Sequence, residues 1–361
     1  MESPSLWFVS GMGDGGRGAG GPQTALSSPF PHPSSPISLR ALQRQLAALV
    51  PGAGLPGAAG EGPSLEAFSS AVDLPRLIGA ASIEGGSLRA LAVPSGSTFE
   101  FSAFLDGTQE SRVLAYSNAL PVIHGRVAAV IRERKDRRLS TWKHEVVSRV
   151  YAPRALLSRE YNDALSALRV EVVDTTAGTD VDTKTGEHPF AIRDAAIHRV
   201  QEDRERAEHA LAEHWCQVVG EPLFIDGGIS ANDRIAREGC IVGVVKSHRT
   251  LYAEGGGVQV VLGLRVGERT TAFRVTSPKR TTVASWYLRL RDPLGRDPMW
   301  GLVRVEIAEP SLATPAQIRE RADEVSRSVL AEVVPLALPD SRWDKMVYGI
   351  RDCEEFLRAV M

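Results

Sequence analysis

The chain has 361 residues, and its 42 Lys+Arg against 44 Asp+Glu leave a formal charge of −2. That balance excludes a polycation that holds nucleic acid by bulk charge, but leaves room for a local basic groove. No apolar run reaches about 18 residues, so no membrane-spanning helix is expected.

Residues 1–63 stand apart. They hold 12 of the 33 glycines, 9 of the 22 prolines and six charged side chains. Such a stretch buries too little apolar surface to offset its ordering entropy. It reads as a flexible Gly/Pro-rich N-terminal arm, with the folded domain expected over 64–361. One island, 38–50, has Leu39, Leu42, Leu46 and Leu49 at helical spacing, then Pro51-Gly52 as a stop. The start of the chain has no basic segment followed by an apolar one, so no secretory signal is expected.

Strand patterns begin near Ser87. Candidates are 88–93, then 98–105 ending in Asp106-Gly107-Thr108-Gln109, then 113–116 and 122–131. The last runs into the basic stretch 132–138. Residues 142–150 read as a strand or a short helix. A long helix is expected over 189–219, with Ile197, Val200, Arg204, Glu208, Leu211 and Trp215 on one face. A short strand, 222–225, ends in Asp226-Gly227-Gly228. Strands are expected at 240–245, 258–264, 270–275, 283–290 and 301–307, and a helix at 315–333. No internal repeat is visible. Cys216, Cys240 and Cys353 are far apart with no CxxC pair. Neither a disulfide framework nor a cysteine zinc site is supported, and a reducing cytoplasm is the expected compartment. His124, His144, His209 and His214 show no metal-ligand spacing with Cys216.

Three carboxylates stand out by position. Asp106 and Asp226 each end an apolar strand, and Glu208 lies on the helix before the second strand. Strand-Asp, hairpins, helix-Glu, strand-Asp is the order in which RNase H-like folds present catalytic acids. The expected fold class is therefore α/β, an RNase H-like mixed sheet flanked by helices. Two Mn²⁺ or Mg²⁺ ions about 3.5–4 Å apart, held by shared carboxylate oxygens, can stabilise both the attacking and the leaving oxygen of a phosphodiester. The bland alternatives are plain. Asp-Gly is also a turn signature. Most helix glutamates are solvated, and Glu205 is a second candidate to Glu208.

In these segments the sequence resembles the NurA nuclease family, which partners the HerA hexameric helicase. The resemblance spans about residues 98–358. It is carried by Ala103-Phe104-Leu105-Asp106-Gly107-Thr108, by Arg204 to Glu208 with Leu211 and Trp215, and by Leu223 to Ser230. It continues in Ile241 to His248, which contains Lys246, in Ser285 to Leu290, in Trp300 to Glu306, and in Asp340 to Arg358. It implies a metal-dependent deoxyribonuclease with Asp106, Glu208 and Asp226 on two Mn²⁺ or Mg²⁺ ions and Lys246 on the scissile phosphate. It also implies DNA as substrate, a HerA-like hexameric ATPase as partner, a homodimer, and work in DNA end processing or anti-phage defence. Tyr287 and Arg289 on one face of a strand, and Arg132, Arg134 and Lys135 with Arg137 and Arg138, are the candidate DNA contacts; the alternatives are half-buried packing for Tyr287 and a solvated hairpin tip for the basic run. The 38–50 helix and a C-terminal segment with Phe356, Leu357, Val360 and Met361 are candidate contact surfaces. Thr108 stands where the family has Ser, Gly228 replaces a Ser, and no histidine follows His248. Asp340 or Asp344 is the candidate for that missing ligand. The same features admit a scaffold that caps and regulates the ATPase without cleaving, or an RNase H-like enzyme acting on RNA or hybrids.

Overall fold

The computed structural model describes residues 37–55, 65, 75–177, 188–276, 280–309, 313–333 and 347–361. Most of the expected arm, and the segment with Asp340 and Asp344, lie outside them.

The elements in chain order begin with helix α1 (Leu39–Leu49) and short strands β1 (Arg76–Leu77), β2 (Ala81–Ser82) and β3 (Ala90–Ala92). Three long strands follow: β4 (Ala103–Ser117), β5 (Leu120–Lys135) and β6 (Arg138–Ala152). Then come α2 (Arg159–Ser166), β7 (Glu171–Asp174), α3 (Pro189–Val218), β8 (Leu223–Asp226), β9 (Ile241–Val245), β10 (Thr250–Leu251) and α4 (Gly256–Leu262). The chain continues through β11 (Glu268–Thr270), β12 (Phe273–Val275), β13 (Val283–Arg289), β14 (Leu302–Ala308), α5 (Pro315–Ala331) and α6 (Tyr348–Val360).

A 12-stranded mixed sheet organises these elements. Its main path runs β2-β12-β13-β14-β9-β8-β4-β5-β6-β7. At its centre β4, β5 and β6 form an antiparallel meander. Strand β8 pairs parallel to β4, and β9 parallel to β8. The order β6-β5-β4-β8-β9, with three antiparallel and two parallel strands, is the RNase H-like arrangement.

Strand alternation decides what covers each face. Phe104, Val130, Phe224, Val244, Trp286 and Val305 point to one side, where Val325 and Val329 of α5 and Ile350 and Leu357 of α6 pack on them. Ala103, Leu105, Ile131 and Ile225 point to the other, against Ala207, Leu211 and Trp215 of α3. The sheet is thus the middle of three layers. Helix α6 approaches closely because Gly349 has no side chain: a Cβ there would overlap the Phe104 ring.

The N-terminal island forms α1 as its leucine spacing predicts, capped by Ser38, whose hydroxyl accepts from the Ala41 amide. Leu42 and Leu46 are fully buried beside Leu114, Val122, Val150 and Leu165. Leu357 is buried, and Phe356, Val360 and Met361 pack on the main core. These two apolar faces are therefore covered by the chain itself.

Several elements differ from the sequence reading. The strand expected to end at Asp106 continues to Ser117 and absorbs 113–116. Residues 142–150 are strand, because the charged 132–138 segment is the turn of a hairpin whose arms pair from Lys135↔Arg138 onward. The apolar run 258–264, expected as a strand, is largely helix α4. Gly255, at φ 51°, turns the chain into it, and Val261 and Leu264 meet the core three residues apart. A short apolar run fits either period, so local pattern could not separate the two. Among the described residues no helix is long and apolar enough to cross a membrane.

Candidate active site

Asp106 is the fourth residue of a continuous 15-residue strand, so its Asp-Gly pair is not a turn. Asp106 and Asp226 have the same parity as Phe104 and Phe224, which places both on the α6 side of adjacent parallel strands. Asp106, Gly107, Thr108, Asp226 and Lys246 line one open cleft. Its far wall is Glu354, Leu357, Arg358 and Met361 of the C-terminal segment.

Glu208 does not line that cleft. It comes from α3 on the opposite layer and lies over Gly107. A Cβ at Gly107 would stand 2.9 Å from both Cγ and Cδ of Glu208, and closer still to Oε1. The missing side chain at 107, next in sequence to Asp106, leaves the space that the Glu208 carboxylate occupies. A glycine in mid-strand costs stability; here it makes room for a charge.

The charges are heavily compensated. Lys246 Nζ is 2.5 Å from Asp226 Oδ2. Arg204 pairs with Glu208 and also donates to Gln109. Arg358 Nη2 is 3.0 Å from Glu354 Oε2. Asp106 accepts the Gly107 amide at 2.8 Å. Burial, then the neighbouring Asp226, push the Asp106 carboxyl well above the ordinary range; Lys246 opposes this and Glu208 reinforces it. Burial raises Glu208 to about 7 even against the pull of Arg204. Both acids resist ionisation chiefly because the fold buries them, a perturbation typical of carboxylates at functional sites.

The loop after Asp226 is held in place from β14. Glu306 Oε2 accepts the Ile229 amide at 2.8 Å, and Glu306 is buried and paired with Arg304. A Cβ at Gly228 would sit 3.0 Å from Glu306 Oε2, and one at Gly243 would sit 2.7 Å from the Gly227 carbonyl oxygen. Gly228 therefore leaves room for a buried glutamate.

A divalent-cation pair suits this donor set in kind, since Asp106, Asp226, Glu208 and Glu354 offer only hard oxygens. Among the described residues, Cys216, Glu238 and Cys240 form a trio with ligand atoms within 4.8 Å of one another. The carboxylates of Asp106, Glu208 and Asp226 are spread wider than that. Lys246 and Arg204 each hold one of them.

The expected DNA contacts need correction. Tyr287 and Arg289 are fully buried. The Tyr287 hydroxyl accepts the Tyr252 amide, and Arg289 donates to the carbonyls of Leu262, Leu264, Pro298 and Trp300. Neither presents an atom to a nucleic acid. They lie on one strand as expected, but both faces of that strand are covered. In the basic run, Arg134 is bidentate to Glu332 and stacks 4.9 Å from the Phe104 ring centroid. Arg132 binds Asp352 and Thr141 and lies over Phe356. Both tie α5 and α6 to the hairpin. Lys135 is exposed beside Glu133, and Arg137 and Arg138 are exposed at the hairpin tip.

Sequence reasoning missed Glu354 and Arg358. Their signal was present: Ile350, Cys353 and Leu357 share one helical face, with Glu354 and Arg358 one turn apart on its flank.

The fold and cleft define an α/β protein with an acid-lined site at the centre of an RNase H-like sheet. No family model and no curated protein matches the sequence. Among solved structures, the chain is similar to the NurA nuclease from Sulfolobus solfataricus, at 11% identity, with 74% of this chain and 82% of that one covered and a TM-score of 0.41. It is also similar to the catalytic domain of human Endonuclease V, at 13% identity, with 89% and 96% covered and a TM-score of 0.29.

Proposed function

We propose that this chain is a metal-dependent DNA nuclease that hydrolyses phosphodiesters at the Asp106–Asp226 cleft. The observation that carries the reading is the meeting of Asp106, Asp226, Lys246 and Glu354 in one open cleft, with the Glu208 carboxylate packed over the adjacent Gly107. Asp106, Asp226, Glu208 and Glu354 are the carboxylates that would hold two Mn²⁺ or Mg²⁺ ions. Bound there, the ions would supply an activated water and stabilise the developing phosphorane charge.

The protein's own residues do the rest. Divalent cations would take over the carboxylates that Lys246, Arg204 and Arg358 now neutralise. Lys246 and Arg358 are then the cations at hand for the phosphate flanking the cut. Thr108, at the cleft rim, offers a hydroxyl to the same backbone. The exposed Lys135, Arg137 and Arg138 at the hairpin tip are the remaining cations of the basic run available to more distant phosphates.

The motif order supports a NurA-type role with a HerA-type hexameric ATPase, in DNA end processing or anti-phage defence, and a homodimeric assembly. Because α1 and α6 bury their apolar faces in their own chain, a dimer would use other surfaces. The test is incubation of the full chain with linear single- and double-stranded DNA in Mn²⁺, Mg²⁺ or EDTA, with and without the ATPase and ATP. Metal-dependent cleavage lost in Asp106→Ala and Asp226→Ala is expected. A folded, ATPase-bound protein that cuts nothing would be a regulatory scaffold instead, and cleavage surviving both substitutions would place the site elsewhere.

A further inference from the structure

Away from the cleft, the fold brings together two cysteines that are 24 residues apart in sequence. Cys216 is in the last turn of α3, and Cys240 precedes β9. Their sulfurs are 3.4 Å apart. The Glu238 carboxylate completes a trio whose ligand atoms all lie within 4.8 Å of one another. Both thiols are half-buried and Glu238 is exposed, so the trio opens to solvent.

We propose that Cys216, Cys240 and Glu238 form a binding site for one thiophilic divalent cation, Zn²⁺ by its ligand chemistry, which clamps the end of α3 to the entries of β8 and β9. Two thiolates and a carboxylate are ordinary zinc donors, and water takes the fourth tetrahedral position. Two thiolates on a tetrahedral zinc stand about 3.8 Å apart. The observed pair needs to open by only a few tenths of an ångström, whereas a disulfide would have to close to about 2.05 Å. A disulfide would also leave the nearby carboxylate without a role.

The surroundings favour a cation. The C-terminal end of a 30-residue helix carries partial negative charge. Glu238 and Glu213 both add negative potential at Cys216. Binding releases two thiol protons per Zn²⁺, with no redox change.

The placement gives the clamp a consequence. The Cys240 carbonyl accepts the Leu223 amide at 2.9 Å, at the start of the strand that carries Asp226. Cys216 lies two turns beyond Glu208 on α3. The cation would pin the two elements that bring Glu208 and Asp226 together.

The experiment uses the full chain, reduced, chelated and desalted, then titrated with Co²⁺ as a spectroscopic probe and Zn²⁺ as competitor. A thiolate-to-cobalt charge-transfer band saturating at one equivalent per chain, displaced by Zn²⁺, is expected. It should vanish in Cys216→Ser and Cys240→Ser, weaken in Glu238→Gln, and persist in Asp106→Asn. Zn²⁺ should also slow maleimide labelling of Cys216 and Cys240 in the unmodified protein by about tenfold or more, with buried Cys353 as internal reference. This second readout needs no variant to fold. Absence of the band with unchanged labelling overturns the proposal, as does a band that survives both serine substitutions. Spontaneous formation of a Cys216–Cys240 disulfide in air that Zn²⁺ does not prevent overturns it in favour of a redox pair.

Discussion

Glu208 lies where the side chain of residue 107 would otherwise be. A Cβ at Gly107 would be 2.9 Å from Glu208 Cγ and Cδ. Asp106 and Glu208 belong to different layers, and Glu208 can lie beside the Asp106 backbone only because position 107 has no side chain. The Asp-Gly pair is thus one unit, in which the aspartate supplies a carboxylate and the glycine admits a second.

Gly107→Ala tests this directly. The methyl must displace Glu208 or bend β4, costing about 1–3 kcal/mol of stability as overpacking does. Cleavage should fall by about 100-fold, as expected for a misplaced catalytic group. Thermal melting and single-turnover cleavage of the variant check both. Unchanged cleavage would remove Glu208 from the reaction.

Asp106→Asn should abolish cleavage yet stabilise the protein at pH 8 in chelator. Folded Asp106 holds its proton well above the usual aspartate pKa. Its contribution to stability is full below the unfolded pKa and is lost as pH rises through the folded one. The amide removes that penalty. The gain in melting temperature over the unmodified protein should shrink as pH falls towards 5. A loss of stability at pH 8 would contradict the burial of an ionised Asp106 beside Asp226.

Metal binding should compete with the Glu208 proton. With its pKa raised to about 7, Glu208 should make affinity for Mn²⁺ or Mg²⁺ fall about tenfold per pH unit below 7, on top of the dependence that the raised Asp106 carboxyl adds. Calorimetric titration between pH 5.5 and 8.5 measures this. In Glu208→Gln the same dependence should flatten.

Glu354→Gln should weaken Mn²⁺ binding several-fold with little change in melting temperature, because its partner Arg358 is itself mostly exposed. Equal affinity in both proteins would assign Glu354 to orienting Arg358 alone.

Arg289→Met should destabilise the protein by on the order of 3 kcal/mol, since four carbonyls, one buried and three partly buried, lose their donor. DNA affinity of the folded fraction should stay the same. A selective loss of affinity at constant stability would return Arg289 to the DNA surface.

Much of the layout was legible from local pattern. The α1 leucines, the α3 face with Glu208, Leu211 and Trp215, and the strands ending at Ile225 and Val245 all follow from side-chain period. The order Asp106, Glu208, Asp226 is a property of the linear chain, and the central strand order agrees with the RNase H-like expectation drawn from it. Local pattern failed where two structures share one pattern. The 258–264 run satisfied both periods, and Arg289 on a strand looks alike whether its neighbour is solvent or another layer.

By itself, the sequence determined which segments are apolar on which side, and so where helices, strands and candidate acids fall. Tertiary structure alone decided what stands opposite each of them. It set Glu208 over Gly107, enclosed Arg289 in a ring of carbonyls, turned Arg132 and Arg134 inward onto α5 and α6, brought Glu354 and Arg358 to the cleft, and placed Cys216 beside Cys240. The reason is physical. Period reports only the direction of a side chain from its own backbone, whereas burial, pKa and ligand geometry depend on groups distant in sequence that long-range packing brings within a few ångströms.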